Sequence, residues 1–484
     1  MLNGVVFLSL VTSLAAGSGP TFHVTTPTGS LPSTFTGRVV VYLSSRGGEP
    51  RFGPDWFNPQ PCYSIRVKDG KADDGFVIDD ARAAGFPGKL SALAPGEYTV
   101  QAVIDRNLGG RSIGETPGNY YSKPQKITVT ANPVTVPILC DQVIEEPPFV
   151  DTDVVKGVRL RSALLSKFYG HEMNLKAAVI LPETSDPTER FPVVYEIPGF
   201  GGSAQRFSGS SNRNGTDRNG QKVIHVILDP NCPTGHSVFA DSANNGSWGK
   251  ALITELIPYI ESHFPAVGQP WARFTRGHSS GGWSSLWLQV AYPDFFGGCW
   301  STSPDPVDFR KFQEVDIYAD PSTYRRPTGE PYGVARQNGK MVVTVEQFAK
   351  MEVPIRGEQL GSFDAVFGPR GDDGDPIRLY DPQTGAIDAK VAKYWQRYDI
   401  WLKLKREWPT IGPKLKGKIH IFMGTEDTFY LDGAVRLLKG NLKTLGSDAE
   451  VLLVPGDHGS MMTPDLRRRI DGEIASTILS HKKG

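Results

Sequence analysis

Apolar positions follow two different rhythms along the chain, and the change between them divides it. From residue 20 to residue 143, short β-branched and aromatic runs are separated by Gly- and Pro-rich turns. Residues 37–43 (Gly-Arg-Val-Val-Val-Tyr-Leu), 97–103 (Glu-Tyr-Thr-Val-Gln-Ala-Val) and 126–130 (Lys-Ile-Thr-Val-Thr) each fit a strand. The run 93–98 (Leu-Ala-Pro-Gly-Glu-Tyr) fits the corner before a sandwich strand, with the Tyr98 hydroxyl tied back to the backbone. A small Ig-like β-sandwich is therefore expected over residues 20–143. The stiff, polar run Glu145-Glu146-Pro147-Pro148 marks a linker over residues 144–153.

After the linker, strands alternate with helices. Strand-like runs occupy 175–181, 193–197, 223–228, 419–423 and 450–454. Helical patterns occupy 251–264, 283–292, 431–438 and 464–479. In the first of these, Leu252, Leu256, Ile257 and Ile260 share one face, and Pro265 closes the helix. This order predicts a doubly wound, mostly parallel α/β sheet over residues 154–484, covered on both faces. One stretch breaks the rhythm: residues 304–413 are rich in Pro, Gly, Tyr and Phe and hold few strand candidates. An insertion of that length reads as a lid. Asp372-Asp373-Gly374-Asp375 within it lacks the ligand spacing of an EF-hand and reads as an acidic surface turn.

Composition narrows the function. The 484 residues exceed what one core usually serves, consistent with two domains. Lys+Arg 52 equals Asp+Glu 52, so no net charge argues for nucleic acid or an anionic membrane as partner. The basic run Arg467-Arg468-Arg469 reads as a solvated helix end. Residues 5–16 are apolar and uncharged, and Ala15-Ala16-Gly17 suits signal peptidase. A signal peptide at residues 1–17, a secreted or periplasmic location and no membrane span are expected. Export permits disulfides among Cys62, Cys140, Cys232 and Cys299, one bridge per domain being the simplest pairing and four buried free thiols the alternative. Their spacing fits no zinc site, and no metal is expected.

Candidate chemistry centres on Gly277-His278-Ser279-Ser280-Gly281, a G-x-S-x-G pattern. With 53 Gly in the chain, chance yields on the order of 0.4 such matches, so context carries the weight. Residues 272–275 fit a strand, and a helix follows the motif. A sharp strand-to-helix turn exposes a serine hydroxyl and needs glycines where larger side chains would clash. Ser279 is thus the expected nucleophile. It needs a base, and His458 follows the last strand in Pro455-Gly456-Asp457-His458-Gly459. The other histidines considered read otherwise: His225 and His420 lie inside strands, and His278 adjoins the serine but points elsewhere. For the acid, Asp427 is favoured over its neighbour Glu426 and over Asp432 on the next helix, giving the order Ser, Asp, His. Backbone donors for an oxyanion are expected at Ser280 and in Pro198-Gly199-Phe200-Gly201-Gly202, with Phe200 first and Gly201 second.

These motifs resemble the putative-esterase family of α/β-hydrolases, which includes enterochelin esterase, esterase D, feruloyl and acetylxylan esterases and the mycolyltransferases. The resemblance spans residues 155–479 and rests on residues 193–202, 276–282 and 424–427, and on 239–249 leading into 256–260. It implies an α/β-hydrolase fold, a triad at Ser279, Asp427 and His458, and no cofactor. Pro198 stands where the family commonly has His before Gly, which leaves the oxyanion donor open between Phe200 and Gly201. The expected partner is a small-molecule or polysaccharide-linked ester, such as an acylated polysaccharide or siderophore-like ester. An acyltransferase, or a glycan-binding protein that kept the fold, are the competing readings.

Overall fold

The computed structural model of the chain describes residues 19–482, so the expected leader at residues 1–17 lies outside the described residues. Two units emerge: Met1–Arg106 with Asn119–Val143, and Asn107–Gly118 with Ile144–Gly484. Segment 107–118 belongs to the second unit, although it runs between the strands Gly96–Asp105 and Tyr120–Tyr121 of the first.

The first unit has a three-stranded sheet of Thr21–Thr25, Phe76–Ile78 and Thr135–Leu139, and a seven-stranded sheet around Gly96–Asp105, Thr34–Ser44 and Cys62–Lys71. Alternation sends Val39, Val41, Leu43, Val100, Ala102 and Ile104 into one core with Phe22, Val24 and Ile138. The Tyr98 hydroxyl donates to the Ala94 carbonyl at 3.0 Å, the tie-back expected from the sequence.

In the second unit one eight-stranded sheet organises everything. Its strands are β1 (Val155–Arg161), β2 (Asn174–Ile180), β3 (Val193–Ile197), β4 (Ile224–Leu228), β5 (Arg273–His278), β6 (Gly298–Thr302), β7 (Ile419–Gly424) and β8 (Glu450–Val454). Their spatial order is β1-β2-β4-β3-β5-β6-β7-β8. Pairings β1–β2 and β2–β4 are antiparallel, and those from β4 to β8 are parallel. The period of two splits the strands between two cores. Val193, Tyr195 and Ile197 join Leu252, Leu256, Ile257 and Ile260 on one face. Val194, Phe274, Trp300 and Phe422 meet Leu466, Ile470, Ile474 and Ile478 of the helix Pro464–Lys482 on the other. Each such fully buried side chain contributes about 1.5–3 kcal/mol. This is an α/β-hydrolase-type arrangement, with the carboxyl ends of the parallel strands on one edge.

Three sequence expectations need correction. The helical run 248–263 holds a π-helical segment, Leu252–Leu256, inside it. Pro258 has no N–H to donate one turn back, and the wider turn ends beside it. The helix after the serine motif starts at Ser280, three residues earlier than expected, because Gly281 and Gly282 hide the apolar period. The four cysteines are free and buried, so the one-bridge-per-domain pairing does not form. Burial pushes the Cys299 thiol up to about 12.

The insertion between β6 and β7 is a packed body. It contains a hairpin, Gly333–Gln337 with Lys340–Thr344, and helices Val345–Glu352, Gln359–Phe367, Ala389–Trp395 and Ile400–Ile411. Phe309, Phe312, Phe363, Phe367 and Trp395 form its aromatic core, with edge-to-face rings 5.1 Å apart at Phe312–Phe363 and 5.2 Å apart at Phe367–Trp395. Asp372 and Asp373 are exposed on a turn closed by the Gly374 N–H to the Gly371 carbonyl at 3.0 Å. Among the described residues, no helix is long and apolar enough to cross a membrane.

Candidate active site

The serine sits at the turn from β5 into the helix Ser280–Ala291. Ser279 has φ 60° and ψ −125°, a conformation that costs a non-glycine residue on the order of 1–3 kcal/mol. The fold holds it there through the Ser279 N–H to the Thr302 carbonyl at 3.0 Å and the Trp283 N–H to the Ser279 carbonyl at 3.0 Å. Close packing explains both motif glycines. A Cβ at Gly281 would lie 1.9 Å from the Ile197 carbonyl oxygen, and one at Gly277 would lie 2.1 Å from the Gly281 oxygen. Only bare backbone lets β3, β5 and the helix converge so closely.

Asp427 and His458 lie in the loops after β7 and β8. His458 Nδ1 is 2.7 Å from Asp427 Oδ2, and the Asp427 side chain is completely buried. Asp427 Oδ1 accepts the Phe429 N–H at 2.9 Å and the Leu431 N–H at 3.4 Å. The carboxylate can only accept, so Nδ1 carries a proton, and in the neutral imidazole the lone pair is on Nε2. Glu426 is exposed, and Asp432 is engaged by Arg336 at 2.7 Å and Arg436 at 3.2 Å. Of the three acids weighed from the sequence, Asp427 alone meets His458.

The His458 ring packs 4.6 Å from the ring of His278, the residue before Ser279, and 4.9 Å edge-on to Phe429. His278 Nδ1 faces Thr302 Oγ1 at 3.1 Å, and that hydroxyl donates to the Gly277 carbonyl at 2.8 Å. His278 therefore donates to Thr302, and burial lowers its pKa to about 4, so it stays neutral. The Ser279 hydroxyl makes no hydrogen bond among the described residues. Such contacts commonly tighten only when substrate arrives.

The glycine-rich loop after β3 passes over the serine. A Cβ at Gly199 would lie 3.2 Å from Ser279 Cβ and 3.9 Å from its Oγ, so the loop lies close against the serine. Phe200 and Gly201 follow, Gly201 at φ 78°. Ser280, the other expected donor, is buried and opens the helix, whose N-terminal end favours negative charge.

Several residues at the site were not legible in the sequence. His236 is fully buried, its Nδ1 accepts the Val238 N–H at 3.0 Å, and its Nε2 therefore donates to the Pro198 carbonyl at 3.0 Å. Burial lowers its pKa to about 4. Asp305 accepts from Ser280 Oγ at 2.6 Å and from Gln359 Nε2 at 3.5 Å, and burial pushes its carboxyl up to about 6. Arg336 of the insertion hairpin donates through Nε to the Asp427 carbonyl at 2.9 Å. Isolated buried polar residues of this kind carry no periodicity or motif. Away from the site, His420, Glu450 and Glu473 form a cluster of metal-ligand type, but Arg469 already pairs with both glutamates.

A mostly parallel sheet with a strained serine turn after β5, and an Asp–His pair on the loops after β7 and β8, defines the α/β-hydrolase class. The chain belongs to the family described as Putative esterase, whose profile matches residues 168–442, more than half of its length, and it is an ester hydrolase. Among solved structures it is similar to an S-formylglutathione hydrolase from Agrobacterium tumefaciens, at 14% identity over 67% of this chain and 97% of that one, TM-score 0.40. It is also similar to a ferulic acid esterase from Anaeromyces mucronatus, at 15% identity over 68% and 94%, TM-score 0.33. A further ferulic acid esterase matches at 12% identity over 68% and 100%, TM-score 0.41. No curated protein matches the sequence.

Proposed function

We propose that the chain hydrolyses carboxylic esters through an acyl-Ser279 intermediate, with His458 as proton carrier and Asp427 as the group that orients it. The observation that carries this reading is the 2.7 Å pair of His458 Nδ1 and Asp427 Oδ2 beside a serine held at φ 60°. In the first half-reaction His458 Nε2 takes the Ser279 proton as Oγ attacks the ester carbonyl. The carbonyl electron pair moves to oxygen, where the N–H groups of Ser280 and Phe200, with Gly201 in reserve, receive it. Collapse breaks the bond to the alcohol, which leaves with the proton from Nε2. Water then repeats the sequence and releases the acid.

The same reading takes residues 20–143, apart from the segment 107–118 that belongs to the second unit, as an Ig-like β-sandwich accessory domain, supported by two sheets sharing one core. It takes residues 154–484 as the esterase domain, with residues 304–413 inserted. An uncharged apolar run at residues 5–16 supports export, and hence an extracellular or periplasmic ester such as an acylated polysaccharide or a siderophore-like ester.

The test is hydrolysis of p-nitrophenyl acetate and a longer acyl homologue by the parent and by Ser279→Ala. A loss of about a thousandfold or more in the variant is expected. Equal rates in the two proteins would dismiss the acyl-serine route. Added acceptor alcohol separates hydrolysis from transfer by its products.

A further inference from the structure

The reading above leaves unexplained a side chain that reaches the oxyanion loop from outside the matched family region. Arg111 lies in segment 107–118, which belongs to the second unit. Arg356 binds this segment by donating to the Gly110 carbonyl at 2.9 Å and the Arg111 carbonyl at 3.4 Å. Gly357, at φ 78°, completes the seat, because a Cβ there would lie 2.3 Å from the Arg111 carbonyl oxygen. The backbone of Arg111 is thus fixed before its side chain is considered.

That side chain is itself anchored. Nη1 donates to the Gly357 carbonyl at 3.2 Å and pairs with Glu358 at 3.4 Å, and only 17% of the side chain is exposed. The guanidinium carbon then lies 4.8 Å from the centre of the Phe200 ring. Nη2 comes within 3.8 Å of where a Gly201 Cβ would be. A cation over an aromatic face is attracted by the ring quadrupole, more strongly as water is excluded. Within the loop the Gly202 N–H donates to the Gly199 carbonyl at 2.9 Å and Arg206 Nη2 donates to the Gly201 carbonyl at 3.4 Å, so the turn holds the backbone on either side of Phe200 while Arg111 holds its ring. His236 fixes only the start of the loop, at Pro198.

We propose that Arg111 is a positioning residue of the oxyanion loop. Held by Gly357 and Glu358, it pins the Phe200 ring and, together with the turn bond on the Gly199 carbonyl, keeps the Phe200 N–H in one direction. It acts through Phe200 and does not touch the ester. The proposal rests on the acyl-serine reading only in what the pinned loop is for.

Two readouts on the full chain test it. In Arg111→Ala, kcat on p-nitrophenyl acetate is expected to fall about tenfold to a hundredfold, somewhat below the loss of a whole oxyanion donor. KM should stay within about twofold, and affinity for a trifluoromethyl ketone, which forms the tetrahedral adduct, should weaken in step with kcat. Arg111→Lys keeps a cation but loses the fork, and should recover part of kcat. Amide hydrogen exchange over residues 199–206 should quicken in Arg111→Ala and return toward the parent in Arg111→Lys. Unchanged kcat, a rise in KM alone, or unchanged exchange over residues 199–206 would each overturn it. A parent inert toward esters would remove the acyl-serine reading, and the exchange arm would still decide whether Arg111 holds the loop.

Discussion

Replacing Asp427 by Asn gives the sharpest test of the site, because the structure dictates which way the new amide faces. Asp427 Oδ1 accepts two backbone N–H groups, from Phe429 at 2.9 Å and Leu431 at 3.4 Å. Only a carbonyl oxygen satisfies both donors, so the Asn NH2 must occupy the place of Oδ2. It then points a donor at His458 Nδ1, 2.7 Å away. The imidazole responds by shifting its proton from Nδ1 to Nε2, and the lone pair that would take the Ser279 proton is lost. The charge that steadies an imidazolium goes as well. Where the corresponding substitution has been made in serine proteases, the loss in kcat is about ten-thousandfold. That factor corresponds to about 5.4 kcal/mol of transition-state stabilisation. The assay is kcat on p-nitrophenyl acetate, with far-UV circular dichroism and a thermal melt to establish that the variant is folded. A folded Asp427→Asn protein within tenfold of the parent would refute the tautomer argument and the role given to Asp427.

Three further outcomes follow from local geometry. Gly281→Ala forces a methyl to within 1.9 Å of the Ile197 oxygen, and the backbone must move to admit it. A drop of about 1–3 kcal/mol in urea unfolding and a loss of about a hundredfold in kcat are expected, and a variant that matches the parent in both contradicts the close approach. Burial pushes the Asp305 carboxyl up to about 6, above the ordinary aspartate value of about 3.9. Its protonated form is therefore favoured in the fold: the associated stability is complete below about pH 4 and lost as pH rises through 6. Asp305→Asn should match the parent's pH dependence less its fall between those values, gaining on the order of 3 kcal/mol relative to it above pH 6. A constant difference from pH 4 to 7 in denaturant titrations argues against a buried neutral acid. Arg336→Lys removes the Nε donor to the Asp427 carbonyl and the fork to Asp432, and should lower kcat about tenfold with KM unchanged. A rise in KM instead would place Arg336 against substrate.

What the sequence revealed follows from what leaves a periodic or compositional trace. Strand β8, Glu450–Val454, is an apolar run bounded by turn residues, and its observed limits match the run. The Tyr98 corner is a local device written in the six residues 93–98, and its hydroxyl contact forms as expected. The G-x-S-x-G turn is legible because sterics confine glycine to positions 277 and 281. The hold of segment 107–118 on the second unit was not legible, since Gly109-Gly110-Arg111 shows neither period and its partners, Arg356 and Gly357, lie far along the chain. The insertion reads from composition as a lid. In the structure it packs onto the site: Arg336 donates to the Asp427 carbonyl at 2.9 Å, and Gln359 reaches Ser280 Oγ at 3.3 Å. Opening such a body would break hydrogen bonds at the elbow and the acid loop together.

The path of segment 107–118 bears on how the molecule comes apart. The backbone passes between the two units at residues 106–107, 118–119 and 143–144. A protease that nicks the Pro-rich run after residue 144 therefore severs one passage of three. The fragment starting beyond the nick would lack Arg111, which would stay on the other piece. Two bands on a denaturing gel would then accompany a single species in native buffer. An ancestor that gained or lost the first unit in one recombination event would likewise have gained or lost Arg111 with it.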